Sequence, residues 1–159
     1  MHSFYGCVSV SVNLVFSQQE TDKVSASSTT IKLQKKWEET INLIKQYKDS
    51  LIDFQFENPT NTQKVYLKEN ILIIKTFHKN KEYIRKANLK KLNQVRTYKN
   101  EGLLLTFEWK KVILTTRNLA IKNHIEKSKS MHFGIKINDK VVIKKLKKAF
   151  SELVFLNKK

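Results

Sequence analysis

Glycine, proline and cysteine are scarce, with three, one and one residues in a chain of 159. So few glycines leave no Gly-rich phosphate loop and no collagen-like repeat, and a single cysteine leaves neither a disulfide framework nor a Cys-based zinc site. Arginine is almost as rare, confined to Arg85, Arg96 and Arg117. Acidic residues are few as well: 14 Asp and Glu stand against 31 Lys and Arg, a formal charge of +17. Hydrophobic residues make up 40 %, close to the globular average, so the chain can bury one core and is not disordered throughout.

The lysines come with many Ile and Asn residues, the signature of an A+T-rich genome. That bias would raise glutamate too, so it does not account for the imbalance. A surplus of this size favours an anionic partner: nucleic acid, a membrane surface or an acidic polymer. Nucleic-acid sites lean on arginine forks, which lysine replaces poorly.

Residues 1–17 carry no Lys, Arg, Asp or Glu, whereas Gln18-Gln19-Glu20-Thr21-Asp22-Lys23 is abruptly polar. The step reads as an export signal: the apolar stretch is too short to span a bilayer, and Val15 and Ser17 suit a cleavage site before Gln18. Its leading end holds His2 but no Lys or Arg. Val8-Ser9-Val10-Ser11-Val12 also alternates as a β-strand would, which leaves an uncleaved strand as the competing reading. Removal of the segment would take away Cys7 and leave a cysteine-free chain suited to an oxidising compartment.

The Ser/Thr-rich end of residues 18–30 reads as a linker. Leu33, Trp37, Ile41, Ile44 and Tyr47 then recur at helical spacing, which predicts an amphipathic N-terminal helix over 31–50. From Leu51 the period changes to two, with Ile52, Phe54 and Phe56 alternating around Asp53 and Gln55. Asn58-Pro59-Thr60-Asn61 makes a turn. Strand candidates follow at Lys64–Lys68, Asn70–His78, Glu82–Ala87, Gln94–Tyr98, Leu103–Trp109, Val112–Arg117 and Met131–Ile137. Their close spacing makes them antiparallel, with hairpin tips at Asn100-Glu101-Gly102 and Lys110-Lys111. Leu89, Leu92 and Val95, three apart, suggest one irregular turn tucked into the core. A C-terminal helix follows, capped by Asn138 or Asp139, with Ile143, Leu146, Ala149, Phe150 and Leu153 inward and Lys140, Lys144, Lys145, Lys147 and Lys148 outward.

The expected fold class is therefore α+β: an N-terminal helix and about seven antiparallel strands in a barrel or curved sheet, closed by the C-terminal helix, with residues 51–159 as the folded domain. In order and spacing, residues 51–156 resemble a pleckstrin-homology-like barrel. Ala87 to Val95, Gly102-Leu103-Leu104-Leu105, Lys110-Lys111-Val112-Ile113, Phe133-Gly134-Ile135-Lys136-Ile137 and the Lys-rich last helix look similar to small exported bacterial proteins of unassigned function that carry this barrel. The resemblance implies a binder of lipid, peptide or protein, a range too wide to name a ligand. Its best-known members hold inositol phosphates with basic residues on the first hairpin. Here that hairpin runs Glu57-Asn58-Pro59-Thr60-Asn61-Thr62-Gln63, without a basic residue before Lys64, and Phe150 stands nearest to the family's closing-helix Trp.

Catalytic, cofactor and metal sites are not expected. His2, His78, His124 and His132 lack ligand spacings, and no serine sits in a nucleophile turn. Asp53 is the one carboxylate to watch, placed by alternation on a solvated strand face. The candidate anion-binding residues are Lys110, Lys111, Arg117, Lys122, Lys127 and Lys129, on a hairpin tip and a long polar loop over Asn118–Ser130. The expected function is an exported, periplasmic or secreted non-enzymatic binding module with no transmembrane span. Its partner would be an anionic lipid head group, an acidic glycan or an acidic protein. A cytoplasmic nucleic-acid-binding protein is the alternative, and a small hydrolase a third. The export reading predicts that protein recovered from its own host begins at or near Gln18. Intact-mass measurement checks this, and a cytoplasmic chain retaining Met1 overturns it.

Overall fold

The structure, a computed structural model, describes residues 12–58, 60–121 and 124–159, with side chains from residue 28 onward. Among them are two helices and nine strands, divided between two compact units, one ending at Lys36 and one running from Trp37 to Lys159. Helix α1, Val12–Gln46, crosses that boundary. The helix expected over 31–50 thus starts earlier, and the stretch expected as a linker, 18–30, is helical. No Gly or Pro falls between residues 12 and 46, and Ser and Thr lower helix propensity only modestly. Of the expected signal segment, residues 1–11 lie outside the described residues, and 12–17 form the start of α1.

In the unit beginning at Trp37, the end of α1 seats Ile44 in the core, with Trp37, Ile41 and Leu43 partly buried beside it. The Trp37 indole N–H donates to Asn70 Oδ1 at 2.9 Å. After a 3-10 turn at Lys48–Ser50, strand β1 is only Ile52–Asp53 and gives way to a second 3-10 turn, Phe54–Phe56. The alternation of the sequence there continues past the strand because Asp53 caps that turn, accepting from the Gln55 N–H at 3.0 Å.

The remaining strands are β2 (Thr62–Lys68), β3 (Ile71–His78), β4 (Lys81–Asn88), β5 (Leu92–Tyr98), β6 (Gly102–Phe107), β7 (Val112–Asn118), β8 (Ile125–Ser130) and β9 (His132–Lys136). All pairings are antiparallel, in a four-stranded sheet ordered β1-β9-β6-β5 and a five-stranded sheet ordered β2-β3-β4-β7-β8. No hydrogen-bonded ladder joins the sheets among the described residues, so the expected closed barrel is replaced by two separate sheets. The chain changes sheets four times, from β1 to β2, β4 to β5, β6 to β7 and β8 to β9, and two of these crossings fall on turns read from the sequence. The first is the 3-10 turn Leu89–Lys91, where the expected irregular turn buries Leu89 and Leu92. The second is the turn through Lys110 (φ 58°), which was expected as a hairpin tip but leads from β6 of one sheet into β7 of the other. The tip at Lys99 and Asn100 does join a hairpin, β5 to β6, with both residues at positive φ.

Gly102 sits where a side chain has no room: a Cβ would lie 2.1 Å from the Ile135 carbonyl oxygen and 2.9 Å from the Phe54 ring. Phe54 in turn meets Tyr98 edge-on at 4.9 Å.

Helix α2, Lys140–Leu156, begins where expected, with Asp139 accepting from the Val141 and Val142 N–H groups at 2.7 and 3.2 Å. Val142, Leu146, Ala149, Phe150 and Leu153 are buried, and Ile143, expected among them, is half-buried. Each large apolar side chain of this stripe contributes about 1.5–3 kcal/mol. The other end of α2 is clamped by Asn157, whose amide donates to the carbonyls of Leu89 and Leu92, each at 2.9 Å. The core packs this stripe against Leu103, Leu105, Phe107, Phe133 and Ile135 of one sheet and Leu72, Ile74, Ala87 and Val112 of the other.

Among the described residues the Thr76 hydroxyl, buried on the inner face of β3, has no hydrogen-bond partner. A buried hydroxyl without a hydrogen bond costs about 1–3 kcal/mol, and valine has the same shape and suits a strand. Thr76→Val is therefore expected to raise stability by about 1 kcal/mol, read as a higher urea midpoint with unchanged slope.

Candidate functional site

Because side chains alternate across a strand, register decides which residues share a face. The inner face of the five-stranded sheet holds Val65, Leu72, Ile74, Ala87 and Val112. The outer face is set by the other parity and forms three cross-strand rows that span all five strands, with Lys68, Ile71 and Asn88 beyond them on β2, β3 and β4. One runs Thr62, Phe77, Glu82, Arg117, Ile125; the next Lys64, Lys75, Ile84, Thr115, Lys127; the third Tyr66, Ile73, Lys86, Ile113, Lys129. In these three rows Lys64, Lys75, Lys86, Arg117, Lys127 and Lys129 are basic and Glu82 alone is acidic. With strands about 4.8 Å apart, the face is about 19 Å across.

Three of the candidate residues, Arg117, Lys127 and Lys129, are brought together here. Lys110 and Lys111 lie on the turn leading into β7, at the end of the sheet nearest Lys129, and off the face itself. Lys122 lies outside the described residues. The polar segment expected as a loop over 118–130 is instead largely strand: β8 pairs along β7 from Ile125 to Ser130, leaving only the short connection after Asn118. It escapes the period-two signal because it is an edge strand exposed on both sides, with no buried face to impose apolar alternation. Lys64, Lys75 and Lys86 were missed because their parity matters only once the pairing of β2, β3 and β4 is known.

The middle of the face is organised by Glu82, which is buried and lies 3.6 Å from Lys75 and 3.3 Å from Arg117. Beside it Ile84 is 3 % exposed, although it stands outside the main core cluster. Towards the rim the apolar side chains open to solvent: Ile113 is 37 % exposed and Ile125 52 %. The Lys75 ammonium lies 5.8 Å over the Tyr66 ring.

Asp53, expected on a solvated face, is buried at 1 % exposure. Its Oδ2 lies 3.0 Å from Arg85 Nε on the inner face of β4, in an ion pair whose N–H is not aligned as a hydrogen bond. Arg85 also donates through Nη2 to Gln55 Oε1, and its guanidinium lies over the rings of Phe56 and Phe133. Burial holds the Asp53 carboxyl above its ordinary value of 3.8, outweighing the pull of Arg85 and of the Gln55 N–H in the other direction. Burial likewise lowers Arg85, against the pull of Asp53.

Two clefts accompany these features. One, of about 440 Å³, lies at the end of the β3–β4 hairpin among His78, Lys79, Lys81, Tyr83, Asn118 and Ile121. There His78 Nδ1 is 2.6 Å from Asn61 Oδ1. The other, of about 310 Å³, is lined by Glu57, Asn58, Asn61, Gln63, Lys136 and Asn138, together with Ile52. Lys136 is committed to Glu57 and, at 3.3 Å, to Glu101, and the bond with Glu57 is the main cause of its raised pKa. Asp53 lines neither cleft. His124 and Glu126, 3.1 Å apart, are both exposed. Among the described residues no group of three His, Cys, Asp or Glu is placed to hold a metal ion, and no helix is long and apolar enough to cross a membrane. The chain matches no family model, no curated protein and no solved structure.

The buried pair yields a pH prediction. A group whose folded-state pKa is raised contributes stability that is fully present below its unfolded value, here 3.8, and lost as pH rises through the folded value. Arg85→Met removes the counter-charge and raises Asp53 further. It is expected to cost about 3–5 kcal/mol near neutral pH, with a loss that shrinks as pH falls towards 3.8. Adding Asp53→Leu removes the stranded charge and restores most of the loss. Urea melts of the three proteins at two pH values check both statements.

Proposed function

We propose that this protein is a non-enzymatic binding module that engages an anionic partner through the outer face of the five-stranded sheet, and that it works outside the cytoplasm. The observation that carries the reading is the composition of that face: six basic side chains and one acidic one, on rows fixed by the register of five strands. A charge of +17 spread evenly would keep a protein soluble. Ordered on one face, it attracts a polyanion and loses hold as salt screens it.

Binding is favoured over catalysis because the buried acid–base pair, Asp53 with Arg85, opens into neither cleft. The charge-free residues 1–17 support export. The two antiparallel sheets with α2 packed into the core support the likeness to pleckstrin-homology-like domains, a fold that serves many binders. In this reading the first hairpin, with its Asn and Thr residues, is not the anion site.

Retention on a sulfated polysaccharide column tests the face against mere net charge. Lys127→Glu with Lys129→Glu is expected to lower affinity by about tenfold or more at low salt. The same change in charge on α2, Lys144→Glu with Lys148→Glu, is expected to lower it far less. Equal losses from the two pairs, or no retention of the parent protein, overturn the proposal.

A further inference from the structure

Basic residues on the outer face alternate with apolar ones, and the alternation narrows the partner. Ile73 and Ile113 stand within the rows around the buried Ile84, Ile125 ends one of them, and Ile71, 39 % exposed, stands at the corner beside Lys68. Ile71, Ile113 and Ile125, at 37 to 52 % exposure and each across from a lysine or arginine, present apolar surface that a fully hydrated polyanion does not contact. Against a bilayer both residue types are satisfied at once. Branched apolar side chains enter the head-group boundary, while lysine stems reach up and keep their ammonium groups among the phosphates.

We infer that the partner is the surface of an anionic lipid bilayer, on which the five-stranded sheet lies by its outer face; the inference rests on the anion-binding reading of that face. Three further observations agree. The basic residues are almost all lysine, compact charges that suit a diffuse negative surface, where arginine would supply planar forks for individual phosphates and bases. Lys64, Lys86, Lys127 and Lys129 of this face make no ion pair among the described residues. The one acid, Glu82, is buried and occupied by Lys75 and Arg117. Nucleic acid would need open rings for base stacking, and on this face Tyr66 has Lys75 over its ring while Phe77 is half-buried. At the end of the sheet that carries Lys129, the turn into β7 presents Trp109, 70 % exposed, followed by Lys110 and Lys111. An exposed indole beside ammonium groups is the pairing found at membrane interfaces.

The test is co-sedimentation of the full chain with vesicles of phosphatidylcholine alone and of phosphatidylcholine with about one-third phosphatidylglycerol, a composition whose surface attracts basic residues. Of the two tryptophans Trp109 is the exposed one, and the shift in indole emission provides a second readout. Binding is expected only to the anionic vesicles, with a blue shift, and free glycerol phosphate at millimolar level is not expected to compete. Ile113→Ser with Ile125→Ser, both at exposed positions, is expected to weaken vesicle binding by about tenfold while leaving retention on the sulfated polysaccharide unchanged. Circular dichroism melts confirm that this variant is folded. Lys127→Gln with Lys129→Gln is expected to weaken both. Retention on the polysaccharide without vesicle binding overturns the bilayer inference and leaves the anion-binding reading standing. Tight binding of single-stranded oligonucleotide in its place does the same and names nucleic acid. Vesicle binding that is indifferent to the isoleucine changes overturns the seating of the face. Failure on polysaccharide and vesicles alike overturns the inference together with the reading beneath it.

Discussion

Asp53 and Arg85 are placed on different sheets, and their attraction crosses the space between them. Strand β1, which supplies the carboxylate, is only two residues long and pairs only with β9, so its backbone hydrogen bonds are few. The ion pair, the Gln55 side chain on Arg85 and the rings of Phe56 and Phe133 around the guanidinium tie that short strand and the turn after it to β4. The Asp53 N–H adds a bond to Gln63 Oε1 at 3.0 Å, which draws in β2. Taking two charges out of water is costly, and the raised pKa of Asp53 reflects that cost. What the pair provides is specificity: with one carboxylate and one guanidinium inside, few other arrangements of the two sheets leave both satisfied.

The same charge economy shapes the outer surface. β8 is a bare edge of the five-stranded sheet, and every residue in it is exposed. Lysines on such a strand discourage edge-to-edge pairing with another chain. Lys127 and Lys129 therefore protect the edge whatever they bind, as does Lys64 on the other edge strand, β2, and the addition of Lys75 and Lys86 on interior strands is what turns edge protection into a continuous basic face. Edge protection alone accounts for lysine on β8. It does not account for lysine on β3 and β4, which have neighbours on both sides.

Local signals in the sequence were strong enough for the elements with one buried face. The apolar stripe and Asp139 cap mark α2, period-two alternation marks β3 and β6, and the Leu89, Leu92 spacing marks the 3-10 turn between sheets. What escaped is long-range. The choice between a closed barrel and two sheets is made by which strand β7 meets after β6, and nothing in Glu108–Lys111 distinguishes a hairpin from a crossing. Asp53 read as solvated because a carboxylate between two apolar residues normally faces out; its partner lies 32 positions away on β4, and nothing near Asp53 points to it. Half of the candidate site was legible for the opposite reason: Arg117, Lys127 and Lys129 stand close together in the sequence, so a run of basic residues sufficed to find them. Lys64, Lys75 and Lys86 needed the register.

Register is also where the buried pair and the surface face meet. Strand β4 carries Tyr83, Arg85 and Ala87 inward and Glu82, Ile84 and Lys86 outward. A slip of one residue would put Arg85 among the outer lysines and Lys86 or Ile84 against Asp53, reversing both faces. With Ile73, Ile84 and Ile113 on its outer face and Thr76 and Arg85 on its inner one, this sheet has less apolar contrast to resist such a slip than a sheet with one charged and one oily side. The Asp53–Arg85 contact supplies the missing discrimination, because only the native register brings the guanidinium to the carboxylate. The two chemistries thus belong to one design: an internal charge pair that adds little net stability holds the strand alignment on which the external array of lysine and isoleucine depends.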